Sequence, residues 1–232
     1  MNPQRIADRP GRASVWLPLA FVTIFVVTGL PALGWPVVLV IGTGDVLALA
    51  FWMTKGRFHL ANRQMLPFHL ATMAGLHVHV YEELTQGFAP AMRDTFHMAT
   101  FGDATFLNGI VFAVPIMYML AAIGLWFRRP FAEFLSYTLF FGPGFMEWTH
   151  YVFPLFRSEP YHYFPGMWTA WVPMVPGLAA LWWNVRRIRQ EETNGVTDEA
   201  TIANPSGRPT IADRRVAVAD RRRERHAFAH RA

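Results

Sequence analysis

Six long apolar stretches dominate the hydrophobic pattern of the chain up to residue 189. They are residues 15–32, 35–53, 66–84, 105–127, 131–153 and 164–185. A bilayer core about 30 Å thick requires roughly 20 predominantly apolar helical residues, so each stretch qualifies or nearly qualifies as a membrane span. The third stretch is the most polar, which leaves five spans as the alternative. The pattern therefore predicts an all-α, polytopic transmembrane helical bundle over residues 15–189.

Basic residues in the short connections predict how this bundle is oriented. They lie before the first stretch and after the second, fourth and sixth stretches: Arg5, Arg9, Arg12, Lys55, Arg57, Arg63, Arg128, Arg129, Arg186, Arg187 and Arg189. All four groups fall on one side of a six-span bundle, and cytoplasmic loops are enriched in Lys and Arg. We therefore expect both termini, including residues 1–14, to be cytoplasmic. No small-residue cleavage site follows the first arginines, so the first span is expected to be retained.

From residue 190 to residue 232 the apolar periodicity disappears. This segment is polar, mixed in charge and interrupted by Pro and Gly. It cannot bury enough apolar surface to offset the entropy of ordering it, which predicts a disordered, basic cytoplasmic tail.

Composition supports the membrane class and excludes some chemistry. Charged residues make up 16% of the 232 residues, below the roughly 25% of soluble domains, and there is no cysteine. A disulfide or a thiolate site is therefore excluded. The net charge of +5 arises from arginines in loops and tail, so we expect membrane lipids as partners, no nucleic acid and no specific protein partner.

The third stretch carries an unusual polar motif, HVYEE, at residues 79–83. Residues three and four apart share one face of a helix, so His79, Glu82 and Glu83 form a single polar stripe, while His77 points elsewhere. Ionisable side chains inside a membrane segment are costly and commonly mark a functional site.

A second His/Glu pair follows in the fifth stretch, in the sequence GPGFMEWTHYVF. Glu147 and His150 are three residues apart, and in di-metal bundles such pairs on facing helices converge on the ions. The third and fifth spans run in the same direction, and both pairs lie near their outer ends. We therefore predict a shared metal site. Its ligands would be His79, Glu82, Glu147 and His150, with Glu83 as ligand or general base and His162 in support.

Other polar and aromatic residues on the same side suggest a substrate pocket with aromatic walls. The candidates for substrate binding are Asn108, Tyr163, Trp148 and Trp168. Pro and Gly in GPG and FPG would permit broken backbone around such a cavity. Asp45 is a lone acid in the second stretch, for which a site role and a structural role both stay open. His59, His69 and His97 are interpreted as loop or interface residues.

The motif HVYEE, followed by a His-bearing span and YFPGMWTA, resembles the HXXEE family of bacterial integral membrane proteins. The resemblance covers residues 66–185 and implies a site built from His79, Glu82 and Glu83, with His150, Tyr163, Pro165 and Gly166. It also implies the bacterial inner membrane. Where related proteins tend to have an Asn one turn before the second His, this chain has Met146, with Glu147 beside it.

A weaker resemblance connects the chain with the emopamil-binding family, which includes sterol isomerases. The order of HVHVYEEL, FGDATFLN and PGLAALWW is similar to that family, whose helices also place His and Glu in a membrane pocket with aromatic walls. This resemblance implies an isomerase without a cofactor.

Several functions are compatible with these residues. With a divalent transition metal, iron being favoured over zinc or manganese, the site would oxidise, desaturate or hydrolyse a lipid, fatty acyl or isoprenoid substrate. Without a metal, Glu82, Glu83 and His79 would act as acid–base groups that isomerise a double bond. A proton or metal-ion pathway and a purely structural polar network are the remaining alternatives.

Overall fold

All regular structure in the described part of the chain is helical. The computed structural model describes residues 13–98 and 101–203. Its α-helices are α1 (Ala13–Leu33), α2 (Trp35–Thr54), α3 (Leu66–Thr85), α4 (Phe88–Phe96), α5 (Asp103–Phe106), α6 (Val114–Trp126), α7 (Pro130–Phe141) and α8 (Trp171–Ala203). A π-helical segment, Leu107–Ala113, joins α5 to α6 without interruption. Short 3-10 helices cover Gly56–Phe58, Asn62–Met65, Met146–Tyr151 and Phe153–Phe156.

Three helical segments within the described residues are long and apolar enough to cross a membrane. They are Val15–Leu33, Trp35–Phe58 and Asp103–Trp126, which correspond to the first, second and fourth predicted spans. On α1, Trp16, Ile24 and Val27 are each more than 60% exposed, and an exposed apolar face of this kind is typical of a surface that contacts lipid or another protein. The helical class and membrane association of the chain are therefore confirmed, whereas six spans are not confirmed within the described residues.

The predicted fifth span, residues 131–153, is not one continuous helix. α7 ends at Phe141, and the chain turns through Gly142, Pro143 and Gly144 before the 3-10 helix Met146–Tyr151. Pro143 has no backbone N–H to donate, so it favours the break. Side chains three residues apart eclipse one another in a 3-10 helix, which keeps Glu147 and His150 on the same side. The predicted sixth span also begins later, since residues 165–170 form turns and α8 begins at Trp171.

Polar contacts inside the bundle fix the position of α3. The carboxylate of Glu133 on α7 accepts hydrogen bonds from the backbone N–H groups of Ala61 (2.9 Å) and Asn62 (2.8 Å), just before α3. Further along, His69 Nε2 donates to the carbonyl oxygen of Tyr118 on α6, and its Nδ1 lies 2.9 Å from Ser136 Oγ on α7. His69 is completely buried and connects α3 with α6 and α7 through these contacts. It is therefore not the loop or interface residue that the sequence suggested.

The last helix passes the predicted end of ordered structure. α8 continues beyond Arg189 to Ala203, so the predicted disorder of residues 190–232 is not confirmed over its first part. Residues 1–12 and 204–232 lie outside the described residues. Contacts divide the chain into two units, Met1–Val185 and Arg186–Ala232, and all site residues considered below belong to the first.

Candidate metal centre

Three side chains from two segments meet at a buried point. His79 comes from α3, and Glu147 and His150 come from the 3-10 helix Met146–Tyr151. Glu147 Oε2 lies 3.0 Å from the Nε2 atom of each histidine, and the two Nε2 atoms are 3.2 Å apart. Both histidines are buried, and 15% of the Glu147 side chain is exposed. The three residues form a group that could hold a metal ion, as the sequence spacing predicted.

The hydrogen bond on the far side of His150 determines which ring nitrogen carries the proton. His150 Nδ1 lies 2.7 Å from the carbonyl oxygen of Pro165, and a carbonyl can only accept. Nδ1 must therefore donate. In the neutral imidazole the lone pair then belongs to Nε2, which faces Glu147 and His79.

The same reasoning applies to His79 through one more hydroxyl group. Thr169 Oγ1 donates its only proton to Glu82 Oε2, at 2.5 Å. It therefore accepts from His79 Nδ1, which is 3.1 Å away, so the lone pair of neutral His79 is also on Nε2. Two imidazole lone pairs and a carboxylate oxygen thus face one another within 3.2 Å. Such an arrangement of acceptors is repulsive unless a cation or added protons lie between them.

The distances between these atoms suit a bound metal ion. Metal–ligand bonds of about 2.0–2.2 Å place neighbouring ligand atoms about 2.8–3.1 Å apart in octahedral geometry and about 3.3–3.6 Å apart in tetrahedral geometry. The two separations of 3.0 Å from Glu147 Oε2 lie in the octahedral range, and the 3.2 Å between the two Nε2 atoms lies between the two ranges. The outward Nδ1–H bonds of both histidines are the kind of outer contacts that orient imidazole ligands.

Glu83 lies beside this group without belonging to it. Its Oε1 atom is 3.4 Å from His150 Nε2 and 3.7 Å from His79 Nε2, and the side chain is 7% exposed. Of the two glutamates in HVYEE, Glu83 is the one that turns toward the histidines. Both predicted roles for Glu83, general base and ligand, stay open at these distances.

Glu82 is not brought together with the predicted ligands. Its carboxylate accepts four hydrogen bonds, from Tyr163 OH (2.5 Å), the Trp168 N–H (3.2 Å) and both the N–H (2.8 Å) and hydroxyl of Thr169. Partial burial and the neighbouring Glu82 carboxylate raise the pKa of Tyr163, which keeps its hydroxyl protonated as a donor. Glu82 therefore orients His79 through Thr169, a residue that the sequence analysis did not single out.

The loop before α8 closes tightly over the histidines. Gly166 has a φ of 94°, in the region that favours glycine, and a Cβ there would collide with the His150 ring and lie 3.0 Å from His79 Cε1. On the opposite side, a Cβ at Gly75 of α3 would lie 2.8 Å from Pro173 Cα of α8. These two glycines let α3, the loop and α8 approach closely enough for Thr169 and Pro165 to reach the imidazoles.

None of the remaining predicted site residues belongs to the buried group of His79, Glu147 and His150. His162 is a surface residue whose Nε2 accepts from Arg157 and whose Nδ1 donates to the Pro160 carbonyl oxygen, so it does not join the group. Asn108, Trp148 and Trp168 are exposed, the last by 74%. Tyr163 contacts Glu82 as described above.

A cavity of about 300 Å³ adjoins the group, and its walls are mainly apolar. Glu83, Glu147 and His150 line one part of the cavity, and Asp45 of α2 lines it as well. Six phenylalanines contribute to its walls: Phe21, Phe25, Phe88, Phe101, Phe106 and Phe153. The predicted substrate-binding residues Asn108, Tyr163, Trp148 and Trp168 are not among the residues that line this cavity. The volume is at the lower end of the range of small-molecule sites, about 300–1,000 Å³.

Fold and site together define an all-helical, membrane-associated protein with a buried His/Glu group that could hold a metal ion at the wall of an apolar cavity. No family model, curated protein or solved structure in the three comparisons matches the chain.

Proposed function

We propose that the chain is a membrane-embedded metalloenzyme that modifies a lipid, fatty acyl or isoprenoid substrate. The observation that carries this proposal is the convergence of two imidazole lone pairs and the Glu147 carboxylate at the wall of an apolar cavity. Apolar walls favour a hydrocarbon chain. A substrate dissolved in the bilayer would match the apolar lining of the cavity. It could also reach a protein whose three apolar helical segments are long enough to cross the membrane.

The donor set supports a particular class of metal ion in this proposal. Two nitrogens and a carboxylate oxygen, with no cysteine in the chain, suit iron, manganese or zinc, and iron is favoured for oxygen chemistry. When bound, a redox-active ion supplies oxidation or desaturation, and zinc supplies Lewis-acid activation for hydrolysis.

Glu83 is the residue that moves a proton in this proposal. Its carboxylate lies against both histidines and lines the cavity, where a substrate would reach it. His79, Glu147 and His150 hold the ion, and Glu82 and Thr169 orient His79. The phenylalanines of the cavity exclude water and align the hydrocarbon chain beside Glu83.

The location proposed for this enzyme is the bacterial inner membrane, with both termini in the cytoplasm. The asymmetry of basic residues between loops supports this orientation, and the resemblance of HVYEE and YFPGMWTA to the HXXEE family supports the bacterial setting. The same resemblance is consistent with the placement of Pro165 and Gly166 against His150.

A metal-independent double-bond isomerase is the second candidate. It is favoured by the position of Glu83 in a cavity walled by phenylalanine rings, since an acid can protonate an alkene and aromatic faces stabilise the resulting cation. The two candidates share the substrate class and the role of Glu83. They differ in whether activity survives removal of metal.

The test is lipid conversion by purified protein in lipid vesicles. Extracts of the host membrane would be incubated with the wild type, with Glu83→Gln and with Asp94→Asn, an exposed acid outside the site, and the products compared by mass spectrometry. Loss of general acid–base catalysis lowers a rate by about 10²–10⁴-fold, so we expect conversion to fall by that factor in Glu83→Gln alone. Conversion that is equal in all three proteins contradicts the role of Glu83. Conversion that survives exhaustive chelation supports the isomerase instead.

A further inference from the structure

Asp45 is a buried acid that the proposed reaction does not use. It lies in the middle of α2, is 5% exposed and lines the same cavity as Glu83, Glu147 and His150. Its neighbour Gly44 packs its backbone directly against Gly142, in the turn that follows α7. Asp45 is therefore held at the cavity wall by a close helix contact, away from any helix end at which it could reach water.

The carboxyl group of Asp45 has no hydrogen-bonding partner in the described part of the chain. Among the residues that the structure describes, none forms a hydrogen bond or an ion pair with Asp45. Tyr118 also lines the cavity, but its hydroxyl group pairs with Thr138 Oγ1 at 3.3 Å. Burial of a polar group without a hydrogen bond is unfavourable, and acids in membrane segments are commonly functional.

The titratable side chains that line the cavity set the character of a complementary ligand. Besides Asp45 they are Glu83, Glu147, His150 and Tyr118, and the remaining lining is mainly apolar. A ligand that completes Asp45 must carry a hydrogen-bond donor, and the rest of that ligand must be hydrocarbon. These two requirements describe an amphipathic molecule with a hydroxyl or amine head group.

We propose that Asp45 binds the polar head group of the substrate, a hydroxyl or an amine attached to a hydrocarbon chain. The chain would extend along the apolar wall toward Glu83, and this second part rests on the function proposed above. A site built to bond a donor discriminates strongly against an analogue that lacks one, because the buried acceptor is then left unpaired. Asp45 would thus determine which lipids enter the cavity.

The experiment measures head-group preference with simple probes on the full-length protein in detergent. Tritiated 1-decanol would be displaced by unlabelled 1-decanol, decylamine or n-undecane, which has a methyl group in place of the hydroxyl. The proteins compared are the wild type, Asp45→Leu, Asp45→Asn and Asp94→Asn. Partitioning of each probe into detergent is the same for every protein, so it cancels when the ratio of dissociation constants is compared between proteins.

We expect the preference for the alcohol over the alkane to fall about tenfold or more in Asp45→Leu and to be unchanged in Asp94→Asn. Asp45→Asn keeps a hydrogen-bond acceptor and removes the acidic group, so it should weaken the binding of decylamine more than the binding of decanol. This variant provides the test if Asp45→Leu does not fold. A preference that is absent in the wild type, or retained in Asp45→Leu, overturns the proposal.

Metal content is measured on the same samples. A head-group preference that depends on Asp45, in protein that holds no metal and still converts lipid, would leave the Asp45 site standing and refute the metalloenzyme.

Discussion

His79 and His150 direct their Nε2 atoms at each other across 3.2 Å, and the hydrogen bonds on the opposite side of each ring assign a lone pair to both nitrogens. The acceptors are Thr169 for His79 and the Pro165 carbonyl oxygen for His150. With Glu147 Oε2 at 3.0 Å from each nitrogen, the three atoms are arranged for a cation. Added protons on the rings would relieve the same repulsion without a metal ion. A polar network would hold such protons, whereas a metal centre would hold an ion in their place.

The relay from Glu82 through Thr169 should control metal affinity without abolishing it. Thr169→Val removes the hydroxyl group that accepts from His79, so the ring is free to rotate or to change tautomer. Loss of such an outer contact lowers metal affinity by about 10–100-fold. Competition with a chelator of known affinity measures the change. Thr169→Ser retains the hydroxyl group and should keep most of the wild-type metal affinity. Equal metal affinity in Thr169→Val and the wild type would show that Glu82 and Thr169 do not orient His79 for metal binding.

Gly166 should be essential for the geometry of the centre. In Gly166→Ala the new Cβ would collide with the His150 imidazole at a φ that alanine adopts only with strain, at a cost of about 1–3 kcal/mol. We expect more than a tenfold loss of metal affinity. Gly102→Ala is the matched control, because a Cβ there has nothing within 4 Å and φ is −108°. Normal metal binding by Gly166→Ala would show that the loop can shift without consequence.

His162 should be dispensable for metal binding. Its contacts are with Arg157, Pro160 and Glu159 at the surface, apart from the buried group. We expect His162→Ala to bind metal with the stoichiometry of the wild type, as measured by elemental analysis. A loss of metal in this variant would show that His162 is a ligand after all. The segment before α8 that carries His162 would then have to rearrange on metal binding.

His69 should affect stability alone. His69→Leu removes the buried donor to the Tyr118 carbonyl oxygen and the contact with the Ser136 hydroxyl, which still donates to the Ala132 carbonyl oxygen. Loss of such a buried partner costs about 1–3 kcal/mol. The expected result is a lower unfolding temperature in detergent with unchanged metal content per folded protein. Metal loss from protein that remains folded would instead connect His69 with the centre.

The local spacing of residues predicted part of the centre. His79 and Glu83 share a helix face, and Glu147 and His150 remain paired at i, i+3 even though their segment is a 3-10 helix rather than an α-helix. Which of Glu82 and Glu83 faces His150 was not predictable, because residues three and four after His79 lie on the same side of a helix. That choice depends on Thr169, Trp168 and Tyr163, which are distant in sequence.

The ends of the later helices were harder to predict from apolar content. The stretch at residues 131–153 is predominantly apolar, yet α7 ends at Phe141, where Gly142 and Pro143 interrupt the helix. The signal was present in GPG. Composition alone did not reveal that Glu147 and His150 would lie on a separate short helix. Asp45 was visible as a lone acid, but only the cavity shows that it lies in the same space as Glu83.

The metal content of the full-length protein, purified in detergent without added metal or chelator, tests the central claim most directly. We expect about one equivalent of a divalent transition metal in the wild type, falling below about 0.1 equivalent in His150→Ala, and no change in Asp94→Asn. A wild-type protein that converts lipid while holding less than about 0.1 equivalent of any transition metal would contradict the metal centre.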